Sequence, residues 1–208
     1  MAKLFTRAGL TALALLVFGS SAIGTGKAES APTAPTTLID TLDHALLGVM
    51  QNADKLGYQG RYDTLQPIIK HTFDVHLMTQ LVVGTAWNGW TQSQRDEVSD
   101  AFARFIIATY ARRFDGYSGE DFVIDGTHPS ANGSVVMTHL TRPKDTPVTI
   151  NYLIRDNSDG TPQVVDVYLT GTISELATRR SEFGAVLQHD GFQGLLAALD
   201  KKASNQAN

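Results

Sequence analysis

The order of patterns along this 208-residue chain predicts an α+β fold, with several N-terminal helices, a four-stranded antiparallel meander and two C-terminal helices. Three observations carry that expectation. Apolar residues recur at three and four residues from Leu38 to Val82 and again from Val98 to Phe114, which is helical spacing. After Gly116 the period changes to two, and the connections between the apolar runs are short enough that neighbouring strands must be antiparallel. Helical spacing returns from Thr172 to Lys201.

From the N-terminus, Lys3 and Arg7 form a short basic start and Ala8 to Phe18 an apolar run, followed by Gly19, Ser20, Ser21 and Ala22. That run is too short to anchor in a bilayer and suits a secretory signal peptide over 1–28, cleaved after Ala22 or after Ala28. No cysteine lies near either site, which argues against a lipoprotein. The small, polar, Pro-containing stretch 29–37 reads as a flexible lead-in, and 38–203 as a single domain.

Leu38, Ile39, Leu42, Leu46, Val49 and Met50 set the face of a first helix running up to Gly57. A second starts after Arg61-Tyr62, with Pro67 in its first turn or at a kink, and a third runs from Phe73-Asp74 to Gly84. Thr91 with Gln94 three residues later is a capping-box pattern that opens the longest helix, whose apolar face is Val98, Ala101, Phe102, Phe105, Ile106, Thr109, Tyr110 and Phe114. Strands are expected at Phe122–Ile124, Val135–Thr141, Val148–Arg155 and Val164–Leu169, with turns at Asn132-Gly133, Pro143-Lys144-Asp145 and Asp159-Gly160. In the third strand Val148, Ile150, Tyr152 and Ile154 share a buried face, while Thr149, Asn151, Leu153 and Arg155 face water. Thr172 with Glu175 is a second capping-box pattern, and Phe192–Lys201 a short last helix.

Composition excludes several functions. With 17 Lys+Arg against 21 Asp+Glu, the chain lacks the basic excess of a nucleic-acid binder. Removing residues 1–28 takes away three bases and no acids, so the mature charge is nearer −7 than −4. The absence of cysteine excludes disulfide frameworks, thiolate metal sites and thiol nucleophiles. No ligand spacing links the six histidines; His71 and His76, flanking Asp74, point about 140° apart on a helix. No metal or cofactor is expected, and no nucleotide-binding motif occurs in the mature chain. Gly116-Tyr117-Ser118-Gly119 is not a nucleophile elbow. An enzyme would have to use Asp166, within Val164-Val165-Asp166-Val167, or Asp74 as a base. If Val165 and Val167 face the core, alternation turns Asp166 outward.

What remains is apolar surface. Phe102, Phe105, Ile106 and Tyr110 could enclose a cavity with Val136, Ile150, Tyr152, Val165 and Val167, or simply fill a core; the spacing accommodates both.

An ordered set of segments decides how that surface is read. Arg61-Tyr62-Asp63-Thr64-Leu65-Gln66-Pro67 is followed by Phe73-Asp74, Met78, Gly84 and Trp87. Gln94-Arg95, Ala101-Phe102, Thr109-Tyr110-Ala111 and Tyr117-Ser118-Gly119-Glu120 come next, then Asp166-Val167, Arg180 and Phe183. Together these resemble the MlaC and toluene-tolerance family of periplasmic lipid-transport proteins, soluble partners of an ABC transporter. The segment Gly171 to Phe183 is more similar to the hopanoid-associated HpnM branch. The resemblance implies an NTF2-like or cystatin-like cone with an apolar cavity, a periplasmic and monomeric carrier of phospholipid or hopanoid, and no catalysis or stable membrane insertion. An inner-membrane ABC complex and an outer-membrane lipoprotein would be its partners. On that reading Phe102, Phe105, Ile106, Tyr110, Ile150, Tyr152, Val165 and Val167 touch lipid, and Arg142, Lys144, Arg179 and Arg180 meet a head group or partner.

Overall fold

Helix α1 (Ala34–Gln51) begins inside the expected lead-in. The Thr36 amide donates to Thr33 Oγ1, and the Thr33 amide donates back to Thr36 Oγ1 at 2.8 Å, a capping box built from two threonines. Residues 34–37 are therefore the first turn of a helix, with Pro35 at a position where its missing N–H costs nothing. The computed structural model describes residues 33–207. The expected signal segment, both cleavage sites and lead-in residues 29–32 lie outside the described residues.

Helix α2 (Ala53–Thr72) follows directly after Asn52, so the first helix ends six residues before Gly57. Gly57 instead interrupts α2, at φ 59° and ψ −175°, a conformation open to glycine at little cost. Pro67 sits inside the same helix without breaking it. Asp74 caps α3 (Val75–Val83) by accepting the Leu77 amide at 2.9 Å, and a 3₁₀ turn (Gly84–Gly89) leads to α4 (Gln92–Arg113), opened by the Thr91–Gln94 box.

The sheet has five antiparallel strands in chain order, not four: β1 (Asp121–Ser130), β2 (Gly133–Arg142), β3 (Asp145–Asp156), β4 (Pro162–Leu169) and a two-residue β5 (Ile173–Ser174). Left-handed backbone at Thr170 and Gly171 turns the chain back so that Ile173 and Ser174 pair with Leu169 and Tyr168. The rest of that edge is covered by the α2–α3 junction, where Phe73 bridges Val164 and the Asp74 amide donates to the Val164 carbonyl at 3.0 Å. Because β5 occupies 173–174, the N-cap of α5 (Glu175–Asn205) is Ser174, whose hydroxyl accepts from the Ala177 amide at 2.9 Å; the expected Thr172 cap is not formed. The two expected C-terminal helices are the halves of α5 on either side of Gly191, where φ is 67° and ψ −162°.

The helices bury the sheet face carrying Val136, Ile150 and Tyr152, and Ile39, Leu42, Leu46, Leu65, Ile69, Phe102, Ile107 and Phe183 complete the core. Pairing shifts between β3 and β4: Tyr152 opposes Val167 and Leu153 opposes Asp166, yet Ile154 opposes Val164. Val165 is the extra residue of a bulge, so Val164 and Val167 both face the helices although three residues apart. The opposite face carries Thr149, Asn151 and Arg155 as expected, but Leu153 and Asp166 on it are buried. Among the described residues no helix is long and apolar enough to cross a membrane.

Candidate functional site

A cavity of about 270 Å³ lies between α4, the inner sheet face and the start of α5. Helix α4 supplies one stripe at spacings of three and four: Phe102, Phe105, Ile106, Thr109, Tyr110, Arg113 and Phe114. Alternate residues of the strands face it, Val148, Ile150 and Tyr152 from β3, Val167 and Leu169 from β4, and Leu140 from β2. Phe73 and Met78 close one side, with the Phe73 ring edge-on to Tyr110 at 5.6 Å. Glu175, Leu176 and Arg179 come from the first turns of α5.

The charged lining groups mark where this apolar space meets solvent. The side chains of Arg113, Glu175 and Arg179 are 48%, 24% and 19% exposed, while Phe102, Phe105 and Tyr152 are buried. Arg179 donates to Glu175 Oε2 and Glu182 Oε2, both at 2.9 Å, and its guanidinium lies 5.1 Å from the centre of the Phe105 ring. Glu182 also pairs with Lys202. Burial acts to raise the Glu182 carboxyl, but hydrogen bonds from Lys202 and Arg179 outweigh it and hold the pKa below its ordinary value. Burial pushes the Tyr110 and Tyr152 phenols upward, so both stay neutral and the interior carries no charge from them.

Seven of the eight expected apolar residues surround this cavity: Phe102, Phe105, Ile106, Tyr110, Ile150, Tyr152 and Val167. Val165 does not, because the bulge that brings Val164 inward takes it out of alternation. Of the four basic residues only Arg179 lines the mouth. Arg142 is tied within its own hairpin, donating to the Thr146 carbonyl and lying 3.8 Å from Asp145, and Lys144 is exposed at the tip of that hairpin. Arg180 packs over Gly84 at the C-terminal end of α3. Thr109 and Phe114 belong to the expected α4 face, Arg113 was readable as a member of the same stripe, and Leu169 by continuing alternation beyond Val167. No local pattern places Phe73, Met78 or Glu175 in the cavity wall, where long-range packing brings them.

Neither aspartate considered as a base faces the cavity. Asp74 caps α3. Asp166 Oδ1 accepts the Val167 and Leu176 amides at 2.7 and 3.0 Å and Oδ2 accepts the Ser174 hydroxyl at 2.6 Å, which fastens β4 to the start of α5. Among the described residues no group of three or more His, Asp or Glu side chains could hold a metal. One carboxylate stands apart. Asp43 on α1 is 4% exposed, and neither of its oxygens has a hydrogen-bond partner. Burial, reinforced by the charges of Asp40 and Asp121 and opposed by His44, pushes its pKa up to about 7.

The family model for the MlaC protein matches residues 40–201 of the chain. Among solved structures, the fold is similar to that of the phospholipid-binding protein from Ralstonia solanacearum, solved at 1.53 Å in complex with a phospholipid. That likeness has a TM-score of 0.72 at 21% sequence identity and covers 85% of this chain and 100% of the other. At this identity it supports the α+β fold and assigns no residue a role.

Proposed function

The chain belongs to the MlaC protein family, and on that premise we propose that it is an exported, soluble lipid carrier working in the periplasm. It takes up a phospholipid or hopanoid-type lipid and exchanges it with membrane-bound partners, an inner-membrane ABC transport complex and an outer-membrane lipoprotein. One observation carries this reading: an apolar cavity whose charged lining residues gather at its mouth. Such a site suits a ligand that is hydrocarbon over most of its length and polar at one end. The bound phospholipid of the Ralstonia solanacearum protein, which shares the fold, is consistent with it.

The energetics dictate how a carrier of this kind works. Burial is worth about 0.8 kcal/mol per methylene, so two acyl chains with roughly 30 methylenes between them would cost about 24 kcal/mol to expose fully. Release into water is therefore negligible, and exchange requires docking on a donor or acceptor surface, driven by relative affinities with no bond made or broken. The use of both Asp74 and Asp166 as caps supports exchange over catalysis. A volume of about 270 Å³ is at the small end for ligand pockets, so a two-chain lipid requires the walls to part.

The test is to purify the mature chain, extract it with organic solvent and identify what is released by mass spectrometry. About one lipid per protein is expected. Val167→Glu places a charge in the cavity wall, and the folded variant, checked by circular dichroism, should yield none. A folded wild-type protein without lipid, or a folded variant with the wild-type amount, refutes the proposal.

A further inference from the structure

We propose that Arg113 is the residue by which the cavity distinguishes lipids carrying a phosphate from uncharged ones. This rests on the carrier reading above. Three charged side chains line the cavity, two cations and one anion: Arg113, Arg179 and Glu175. Arg179 is committed, with one terminal nitrogen on Glu175, the other on Glu182, and its plane over Phe105. Arg113 is not. Its nearest carboxylate oxygen, Glu175 Oε2, is 4.0 Å away, beyond hydrogen-bond reach, and that oxygen already accepts from Arg179 at 2.9 Å.

The start of α5 offers an anion little else. The Leu176 amide is taken by Asp166 and the Ala177 amide by Ser174. The positive excess at the mouth is therefore concentrated on one guanidinium at the C-terminal end of α4, on a chain whose formal charge is −4. The same residue extends the apolar stripe that lines the cavity, so its stem lies along the hydrocarbon path and its head stands where the path opens. A lipid whose chains fill the cavity has its phosphate within a glycerol's length of that opening, and the planar donor fork of an arginine matches phosphate oxygens. A neutral lipid alcohol of the same hydrocarbon volume gains no charge-assisted bond there.

The experiment is a competition. Delipidated mature protein is offered equimolar phosphatidylglycerol and diacylglycerol with identical chains, and the bound fraction is read by native mass spectrometry. Wild type should prefer phosphatidylglycerol by about tenfold. Arg113→Gln, checked as folded by circular dichroism, should bring the preference close to unity, and Arg113→Lys, which keeps charge but not the fork, should retain part of it. Glu175→Gln should sharpen the preference by releasing Arg179. Excess inorganic phosphate should leave the preference intact if the anion must arrive on a lipid; its loss would mean a free-anion site and overturn the proposal. Equal uptake of both lipids by wild type, or a preference that survives Arg113→Gln, overturns this inference alone. Uptake of neither lipid by folded wild type overturns the carrier reading with it.

Discussion

Asp43 allows a stability prediction whose size and pH dependence both follow from the structure. Its carboxyl is buried with neither oxygen paired, and its pKa rises from 3.8 to about 7 on folding. A carboxyl raised in the folded state holds its proton to higher pH there than in the unfolded chain, so the fold loses stability as pH climbs between the two values and the loss is constant above the upper one. Three units at about 1.36 kcal/mol each make the full loss about 4 kcal/mol. Asp43→Asn keeps the shape and removes the charge. Its expected gain over wild type is below about 1 kcal/mol near pH 4, rising to about 4 kcal/mol near pH 8. For a domain of this size that corresponds to roughly 10 °C in Tm at the upper pH. Asp40, His44, Asp121, Tyr110 and Tyr152, the groups that interact with Asp43, are present in both proteins, so their own titrations largely cancel in the difference. Urea unfolding at both pH values, followed by fluorescence of the buried Trp87, measures the gain. A gain independent of pH would refute the reasoning, because the slope requires a carboxyl whose pKa folding raises.

Two further residues are expected to act through the scaffold. Arg61, buried in α2, donates to the Ala111 carbonyl at 2.9 Å and the Ala53 carbonyl at 3.2 Å, tying the end of α4 to the start of α2. Arg61→Met fills the space but removes both bonds, and should lower the unfolding free energy by about 3 kcal/mol with an unchanged urea m-value; a loss below about 1 kcal/mol would show the bonds to be incidental. Asp166→Ala strands two amides and a hydroxyl. Hydrogen exchange at Val167 and Leu176 should quicken about tenfold more than at Leu65 and Ile69, and uniform quickening would contradict a local capping role.

How far the sequence could be read depended on whether the deciding interactions were local. The α4 helix was legible because its cap, Thr91 with Gln94, and its apolar stripe are contained within one segment. The fifth strand was not, since two residues carry no periodicity and only the turn at Thr170-Gly171 places them beside β4. Val164-Val165-Asp166-Val167 shows the limit most clearly. Strict alternation puts Val165 beside Val167 and leaves Val164 outside; the bulge reverses the roles of Val164 and Val165 while leaving Val167 and Asp166 where alternation had them. Three valines of identical β-propensity fit either register. The choice is made by what lies across from them: Phe73 bridging Val164 on one side, and the donors of Ser174 and Leu176 converging on Asp166 on the other. These partners are 91 residues upstream and eight to ten downstream, beyond the reach of strand alternation. At the mouth of the cavity Arg179 was expected, but Arg113 was missed for the opposite reason. Arg113 lies on the α4 stripe at the spacing that defines it, three residues after Tyr110, and a search for apolar periodicity passes over a cation. Within an apolar stripe that lines a cavity, a charged residue in register near the helix end is where a ligand's polar end would be met.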